Sequence, residues 1–410
     1  MFTVYTSQEL VGIARNENDL LSFVIYPTGA CKDGKELKKS FIIRFEALKV
    51  MSSNIITVSF KDGFTGGLVL GLGFFDAVHA GHRALLECVS ERARELSREN
   101  EHVLPAVFTF SNNMAEFFKP GEKLVYTFPE RLRIFETCGM SAVIFAEMNR
   151  DFAELGGISF LDELTSRFDI RAVFTGNDYC FGKGGGCGVS VLRAYFAARN
   201  AETRIIEFVT HGGIIKTERG DEKKEGRFSD ENHTEEYSAG EVSDRACEKK
   251  ELRFSDENYA EEKSFVYKIS SSEIRALISE GNISDANRLL GAPYFVSGKV
   301  RRCHGRGGGL GFPTANIMPA ADKLKLQEGV YATLTEVDGK NFFSVTSVGS
   351  RPTFAEYEYV LETFIKDFYG DLYEKEITVY FVRRLRGLRK FTSPEELRRQ
   401  ISIDLCDACR

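Results

Sequence analysis

The chain has 410 residues, 43% of them hydrophobic and 28% charged, with a formal net charge of −6. That length suggests about two or three domains, and the charge offers no global attraction to nucleic acid. No apolar run approaches the ~18 residues of a membrane-spanning helix, and the N-terminus lacks the basic and apolar segments of a secretory signal. Nine scattered Cys suit a reducing cytoplasm. Cys406 and Cys409 have no second pair or His nearby at zinc spacing, so they read as incidental.

Residues 1–66 carry few signals. A short helix is expected at Ser7–Ala14 and strands at Phe41–Phe45 and Asn54–Phe60. The segment is read as an unassigned N-terminal extension. The run Leu68–Phe75 is apolar, as in a buried parallel strand. It turns through Asp76, Ala77 and Val78 into His79-Ala80-Gly81-His82. Beyond that, Leu85, Leu86, Val89 and Ala93 share one helical face. Two histidines therefore sit where a strand end hands over to a helix N-terminus, a place that favours phosphate. Gly81 leaves room for close approach, and two imidazoles there could hydrogen-bond phosphoryl oxygens. Two surface histidines in a strand–helix loop is the plainer alternative.

From Leu68 to about Thr210, strands and helices alternate. Strands are expected at Val103–Phe110, Ser141–Phe145, Arg171–Thr175 and Thr203–Val209. Helices are expected at Phe128–Thr137, Ile158–Arg167 and Ser190–Ala198. Such alternation predicts a doubly wound, Rossmann-like parallel sheet. Two strand-end loops stand out: Thr109-Phe110-Ser111-Asn112-Asn113, and the Gly-rich stretch from Thr175 to Gly186. The second can wrap a ligand with backbone N–H groups or be a plain surface loop.

Asp221–Ser264 holds 15 acidic and 8 basic residues, a net of −7, and contains a tandem repeat, EKKEGRFSDENHTEE from Glu222 and EKKELRFSDENYAEE from Glu248. Residues 218–264 read as a disordered acidic insertion, a solvated excursion from a loop rather than a docking segment. The chain resumes with Ile269-Ser270-Ser271-Ser272-Glu273-Ile274-Arg275, a Ser-capped helix start. A second helix, Ile283–Leu290, stops at Gly291-Ala292-Pro293.

From Tyr294 the period changes. Strands are expected at Phe295–Arg302, Gly329–Val337, Asn341–Val348, Tyr357–Asp367 and Glu376–Val382, with an Asp338-Gly339 hairpin turn. They predict a small antiparallel β-barrel covered by a helix at Pro394–Ile403. Between the first two strands lies Gly305-Arg306-Gly307-Gly308-Gly309-Leu310-Gly311-Phe312-Pro313-Thr314-Ala315-Asn316. Its glycines give backbone donors room around phosphates. Thr and Asn oxygens two residues apart suit a hard Mg²⁺ ion.

Together these stretches resemble the bacterial bifunctional riboflavin kinase/FAD synthetase family. The carriers are Gly73-Phe74-Phe75-Asp76 with His79 and His82, the loop around Asp178, the Ser270–Arg275 motif, Gly311–Asn316, Gly349-Ser350-Arg351-Pro352-Thr353, and Leu361-Glu362 with Asp367–Tyr373. The resemblance implies an FMN adenylyltransferase domain at 67–292, interrupted by 218–264, and a riboflavin kinase domain at 293–410. It implies transfer of the ATP γ-phosphate to riboflavin, then of AMP to FMN. His79, His82 and Arg275 would serve adenylyl transfer, and Glu362 would be the base for the riboflavin 5′-hydroxyl. Gly73, Phe75, Asp76, Gly81, Asp178, Ser270 and Ser271 would hold ligands of the first site, and Gly311, Pro313, Thr314, Asn316 and Arg351 those of the second. Thr314 and Asn316 would bind Mg²⁺ with ATP as co-substrate. Partners would be riboflavin, FMN and ATP, with no nucleic acid or membrane, and self-association is left open.

The sequence departs from that pattern in places. Ala77 replaces a Gly, which matters only if the turn needs positive φ. Ser111-Asn112-Asn113-Met114 stands where the family shows P-H-P, removing a histidine. The loop before Gly311 is shorter and lacks a Gly-Arg pair unless Arg306 substitutes, and Phe364 stands where a His is frequent. A kinase with an inactive adenylyltransferase domain, and a non-catalytic flavin or nucleotide sensor, are the rival readings.

Overall fold

The computed structural model describes residues 22–25, 41–44, 55–98, 103–206, 269–301, 314–352 and 357–408. The expected helix at Ser7–Ala14, the acidic insertion and the Gly305–Pro313 loop lie outside them. Strands β1 (Ser22–Ile25) and β2 (Phe41–Arg44) pair antiparallel. The first large unit is a six-stranded sheet. Its strands are β3 (Ile56–Ser59), β4 (Phe64–Leu72), β5 (Val103–Phe110), β6 (Ala142–Ala146), β7 (Phe168–Gly176) and β8 (Glu202–Ile206). They stand in the order β3-β6-β5-β4-β7-β8 and every pairing is parallel. The doubly wound sheet is thus as expected. The sheet begins earlier than residue 67, because β3 pairs with β6 at its edge inside the segment read as an extension.

The order reverses at β4, whose neighbours are β5 on one side and β7 on the other. A crevice opens at the carboxyl ends of strands at such a switch point, and β4 leads directly into the histidine motif. Helix α1 (Ala80–Arg98) follows and buries Ala84, Leu85, Leu86, Val89 and Ala93, the face that helical periodicity assigned. After β5 come α2 (Met114–Phe118) and α3 (Phe128–Thr137), the latter opened by a Thr127/Glu130 capping box with Pro129 in its first turn. Helices α4 (Arg150–Ala153), α5 (Gly157–Arg167) and α6 (Val189–Ala197) complete the crossovers.

The second unit is a closed barrel. Strands β9 (Tyr294–Arg301), β10 (Thr314–Ile317), β11 (Gly329–Val337), β12 (Lys340–Pro352), β13 (Tyr357–Ile365) and β14 (Glu376–Arg386) run in the order β10-β13-β12-β11-β14-β9, all antiparallel, with β9 closing onto β10. Closure removes the unpaired edges that invite aggregation. A C-terminal helix, α9 (Pro394–Ala408), packs on β11, β12 and β14.

Helices α7 (Ser271–Ser279) and α8 (Ile283–Leu290) join the two units. Gly291 ends α8 at φ 70°, a left-handed cap that suits Gly. Asn287 on α8 is 2% exposed. Its Oδ1 accepts the Tyr294 N–H at 2.7 Å and its Nδ2 donates to the Phe381 carbonyl at 2.8 Å. One side chain thus ties the linker helix to two barrel strands. Asn287→Ala should leave these buried backbone groups unpaired and lower stability by about 2–3 kcal/mol, read as a reduced urea midpoint with little change in slope.

Candidate active sites

The turn after β4 is strained. Phe75 has φ 54° and Val78 φ 40°, values that cost energy for any residue with a Cβ and most for a β-branched one. Ala77 is not among the positive-φ residues, so the loss of a Gly there costs the turn nothing. Phe75 is buried and meets the edge of the His82 ring at 5.0 Å and of the Phe135 ring at 5.7 Å between centroids. Its side chain holds the turn from inside.

The two imidazoles stack, with centroids 3.7 Å apart and planes 15° from parallel. The backbone N–H of His82 donates to His79 Nδ1 at 3.3 Å, so the hydrogen of a neutral His79 ring sits on Nε2. His82 Nδ1 is buried with no hydrogen-bond partner. Burial, and then the neighbouring His79, hold the His82 pKa well below the usual imidazole range. His82 is therefore held toward its neutral form, a ring nitrogen and N–H stacked on the His79 ring.

Both histidines line a cavity of about 490 Å³ at the sheet's switch point, a size that fits a nucleotide or flavin-sized ligand. Gly73, Phe75, Gly81 and Asp178 also line it. Its far wall is aromatic: Phe108, Phe110, Phe118, Phe152, Tyr179 and Phe181, with Met114 and Met148. The Gly-rich loop is no loose excursion. Phe181 and Cys187 exchange backbone hydrogen bonds at 2.9 and 3.0 Å, and Lys183 N–H donates to the Leu155 carbonyl. Gly182, at φ 76°, packs so tightly on Gly157 that a Cβ there would lie 2.5 Å from the Gly157 nitrogen.

Asp76, Ser270, Ser271 and Arg275 do not line this cavity, although Ile269 does. Asp76 is 1% exposed; it accepts the Val125 N–H at 3.0 Å and the Arg275 guanidinium at 2.6 Å. Burial raises its pKa, and Arg275 and Arg131 work against that rise. Arg275 also pairs with Glu122 at 2.8 Å and donates to the Lys123 carbonyl. The expected phosphate contact is thus engaged with carboxylates. Ser270 caps α7, accepting the Glu273 N–H at 3.2 Å.

Arg131 was not anticipated. It is wholly buried and donates to the Phe74 carbonyl at 3.0 Å, Thr109 Oγ1 at 3.0 Å and the Phe110 carbonyl at 2.7 Å. It clamps the ends of β4 and β5 where they border the cavity, and burial pushes its pKa down to about 10. The available signal was its spacing from Phe128 and Phe135, which puts a charge on the apolar face of α3. The asparagines that stand where a histidine is usual are structural. Asn112 exchanges hydrogen bonds with the Met148 backbone at 2.8 and 2.9 Å, and Asn113 caps α2 and donates to the Glu122 carbonyl.

The second site lies on the barrel. Asn316 on β10 stands directly opposite Glu362 on β13, and Thr314 opposite Phe364. Thr314 Oγ1 donates to Glu362 Oε1 at 2.8 Å. Asn316 is 5% exposed and its Oδ1 is buried with no partner. A hydroxyl, an orphaned amide oxygen and a carboxylate form an all-oxygen donor set, which fits a hard cation such as Mg²⁺. Among the described residues no cluster of three or more His, Cys, Asp or Glu side chains could hold a metal. Gly311 and Pro313 lie outside the described residues, and Arg351 lies on β12.

Comparison with known proteins agrees with this division. The FAD synthetase family model matches residues 62–217 and the riboflavin kinase family model residues 290–410. The chain belongs to the bifunctional riboflavin kinase/FAD synthetase family. It is 28% identical over 349 residues to the bifunctional riboflavin kinase/FMN adenylyltransferase of Bacillus subtilis (strain 168), covering 83% of this chain and 92% of that protein. It is 29% identical over 345 residues to that of Escherichia coli (strain K12), covering 82% and 90%. A solved structure described as a macrolide-efflux protein from Streptococcus pneumoniae shares the fold across 85% of this chain and 97% of its own, with TM-score 0.63 and 25% identity. No helix among the described residues is long and apolar enough to cross a membrane.

The neutral His82 yields a pH prediction. Folding opposes its protonation, so the unfolded chain binds the extra proton as pH falls through the ordinary imidazole pKa of about 6.5. Stability should drop below that pH by up to about 1.4 kcal/mol per unit from this group. Urea midpoints of the parent and His82→Gln, compared at about pH 5.5 and 7.5, should show a shallower fall in the variant. Equal slopes would mean that His82 is not held neutral.

Proposed function

We propose that the two activities of this bifunctional family run at the two sites just described: adenylyl transfer to FMN at the histidine cavity, and phosphorylation of riboflavin at Thr314, Asn316 and Glu362. In the first, ATP and FMN give FAD and pyrophosphate. In the second, riboflavin and ATP give FMN and ADP. The observation that carries the reading is the stacked His79–His82 pair inside a cavity at the switch point of a parallel sheet, where ligands of such folds bind.

In the adenylyl site, His79 and His82 offer ring N–H donors to phosphoryl oxygens as charge develops. The N-terminus of α1 adds its free amides and dipole. The aromatic wall takes the flat flavin ring or adenine. Gly73 and Gly81 keep the floor clear for phosphate, and Asp178 orients the ligands. Arg275 and Asp76 act from behind the turn, and Ser270 and Ser271 shape the start of α7. In the kinase site, Glu362 accepts the proton of the riboflavin 5′-hydroxyl, and Thr314 holds that carboxylate in place. Thr314 and Asn316 would hold Mg²⁺, which when bound neutralises charge on the ATP phosphates. Gly311, Pro313 and Arg351 are also assigned to phosphate binding in this proposal, as their motifs imply. Cytoplasmic residence is part of the proposal, supported by the free thiols of Cys88, Cys138, Cys180, Cys187 and Cys406.

Incubation with riboflavin, excess ATP and Mg²⁺, followed by chromatography, should yield both FMN and FAD. His82→Ala should stop FAD while sparing FMN. Glu362→Ala should cut FMN formation by about 10²-fold or more while leaving FAD formation from supplied FMN intact. A parent chain that makes FMN alone would overturn the adenylyl assignment, and one that makes neither would overturn both.

Chelation with EDTA should abolish riboflavin phosphorylation, and restored Mg²⁺ should recover it. Asn316→Leu, which removes the orphaned oxygen, should raise the Mg²⁺ concentration needed for half-maximal rate by about tenfold, on the order of one lost oxygen ligand. An unchanged requirement would remove Asn316 from the cation site.

A further inference from the structure

A short barrel segment reaches into the sheet unit. Leu124 N–H donates to the Asp322 carbonyl at 2.8 Å and Leu324 N–H to the Leu124 carbonyl at 2.7 Å, a parallel bridge between stretches far apart in sequence. Between them Lys323 is 2% exposed. Its Nζ donates to the Val125 carbonyl at 2.9 Å and to Glu130 Oε2 at 2.6 Å. It lies 4.9 and 4.8 Å from the ring centroids of Tyr126 and Tyr294. Glu130 is equally engaged: Oε2 also takes the Thr127 N–H at 2.8 Å, and Oε1 takes the Ser297 N–H at 2.9 Å.

Val125 is therefore gripped from both sides. Its carbonyl faces the barrel lysine, and its N–H donates to Asp76 Oδ1 at 3.0 Å. Asp76 follows the strained Phe75 and precedes His79 by three residues. A buried lysine is expensive unless it is paired and hydrogen-bonded, and hydrophobic residues would have sealed this junction as well. What the lysine adds is a directed hydrogen bond to one carbonyl.

We propose that Lys323, a residue of the barrel, is a positioning residue for adenylyl transfer. It fixes Val125, and through Val125 and Asp76 it sets the turn that carries His79 and His82. The proposal rests on the assignment of adenylyl transfer to the histidine cavity. It makes that site dependent on a side chain from the other unit, without requiring any substrate to pass between the two.

The test uses the full chain and reads both reactions separately, with FMN supplied for the second. In Lys323→Met, kcat for adenylylation should fall about ten- to a hundredfold, the scale of a sub-ångström to ångström misplacement. Riboflavin phosphorylation should stay within about twofold, and KM for FMN within about threefold. Lys323→Arg, which keeps charge and donors, should retain most of the activity. Arg133 provides the control: it lies on α3, pairs with Glu336 and donates to Thr378 Oγ1 at 2.7 Å across the same junction, and has no link to Val125. Arg133→Met should leave the ratio of the two activities unchanged.

Unaltered adenylylation in Lys323→Met overturns the proposal. So does a parallel loss of both reactions, which would make the lysine a stabiliser only. So does the same selective loss in Arg133→Met, which would show that any loosening of the junction suffices. A parent chain without adenylyl transfer would remove the functional reading beneath it, whereas a parent and variant of equal activity would remove this inference alone.

Discussion

Asp76 is the constraint around which the sheet unit and its neighbours are arranged. A carboxylate at 1% exposure needs donors on both oxygens. The chain supplies the Val125 N–H to one and Arg275 to the other. Val125 comes from the connection between β5 and α3, and Arg275 from α7, beyond the acidic repeats. Satisfying one buried charge therefore fixes three segments that are remote in sequence. It also fixes the turn through Phe75 and Val78, whose positive φ values would relax if the surroundings did not hold them. The ordered strain of that turn is what brings two imidazoles face to face over a cavity.

The same economy explains α3. Its successive residues Glu130 and Arg131 point about 100° apart around the helix and so serve different neighbours. Arg131 turns toward the strand ends and takes three oxygens around the cavity. Glu130 turns toward the barrel and takes Lys323 and the Ser297 amide. Both are buried, so both geometries are set by hydrogen bonds rather than by contact area. The helix is thus a rigid spacer between the site turn and the barrel.

Much of the fold was legible because its signals are local. The strand Val103–Phe110 and the helices Phe128–Thr137 and Ile283–Leu290 fall on the bounds that periodicity and caps gave them. The barrel strand Gly329–Val337 does too, bounded by its hairpin turn. What escaped was non-local. Alternation marks Asn54–Phe60 as a strand, but only the parallel pairing of Ile56–Ser59 with β6 shows that it belongs to the sheet. The site followed the same division. His79, His82, Gly73 and Gly81 line one cavity, because a short stretch of chain from the end of β4 to the start of α1 carries all four. The Thr314–Glu362 hydrogen bond joins two motifs across one strand pair. Arg275 was expected at phosphate and stands on carboxylates, because a sequence shows a guanidinium but not which anion reaches it first. Lys323 and Arg131 owe their roles to burial among partners remote in sequence, which no local pattern states.

The departures from the family pattern can be weighed by what each residue does. Ala77 adopts no conformation that demands Gly. Asn112 and Asn113 replace a histidine with side chains that knit the end of β5 to Met148 and to Glu122, so the loop's position survives while one imidazole is lost. The acidic repeats fall between β8, which ends at Ile206, and α7, which begins at Ser271. Both flanking elements belong to the same unit, since Arg275 still meets Asp76. Ile274 and Ile278 are fully buried in the common core, and the Arg275–Asp76 pair joins the same helix to the turn. The arginine that the turn requires is therefore placed by contacts that α7 makes itself.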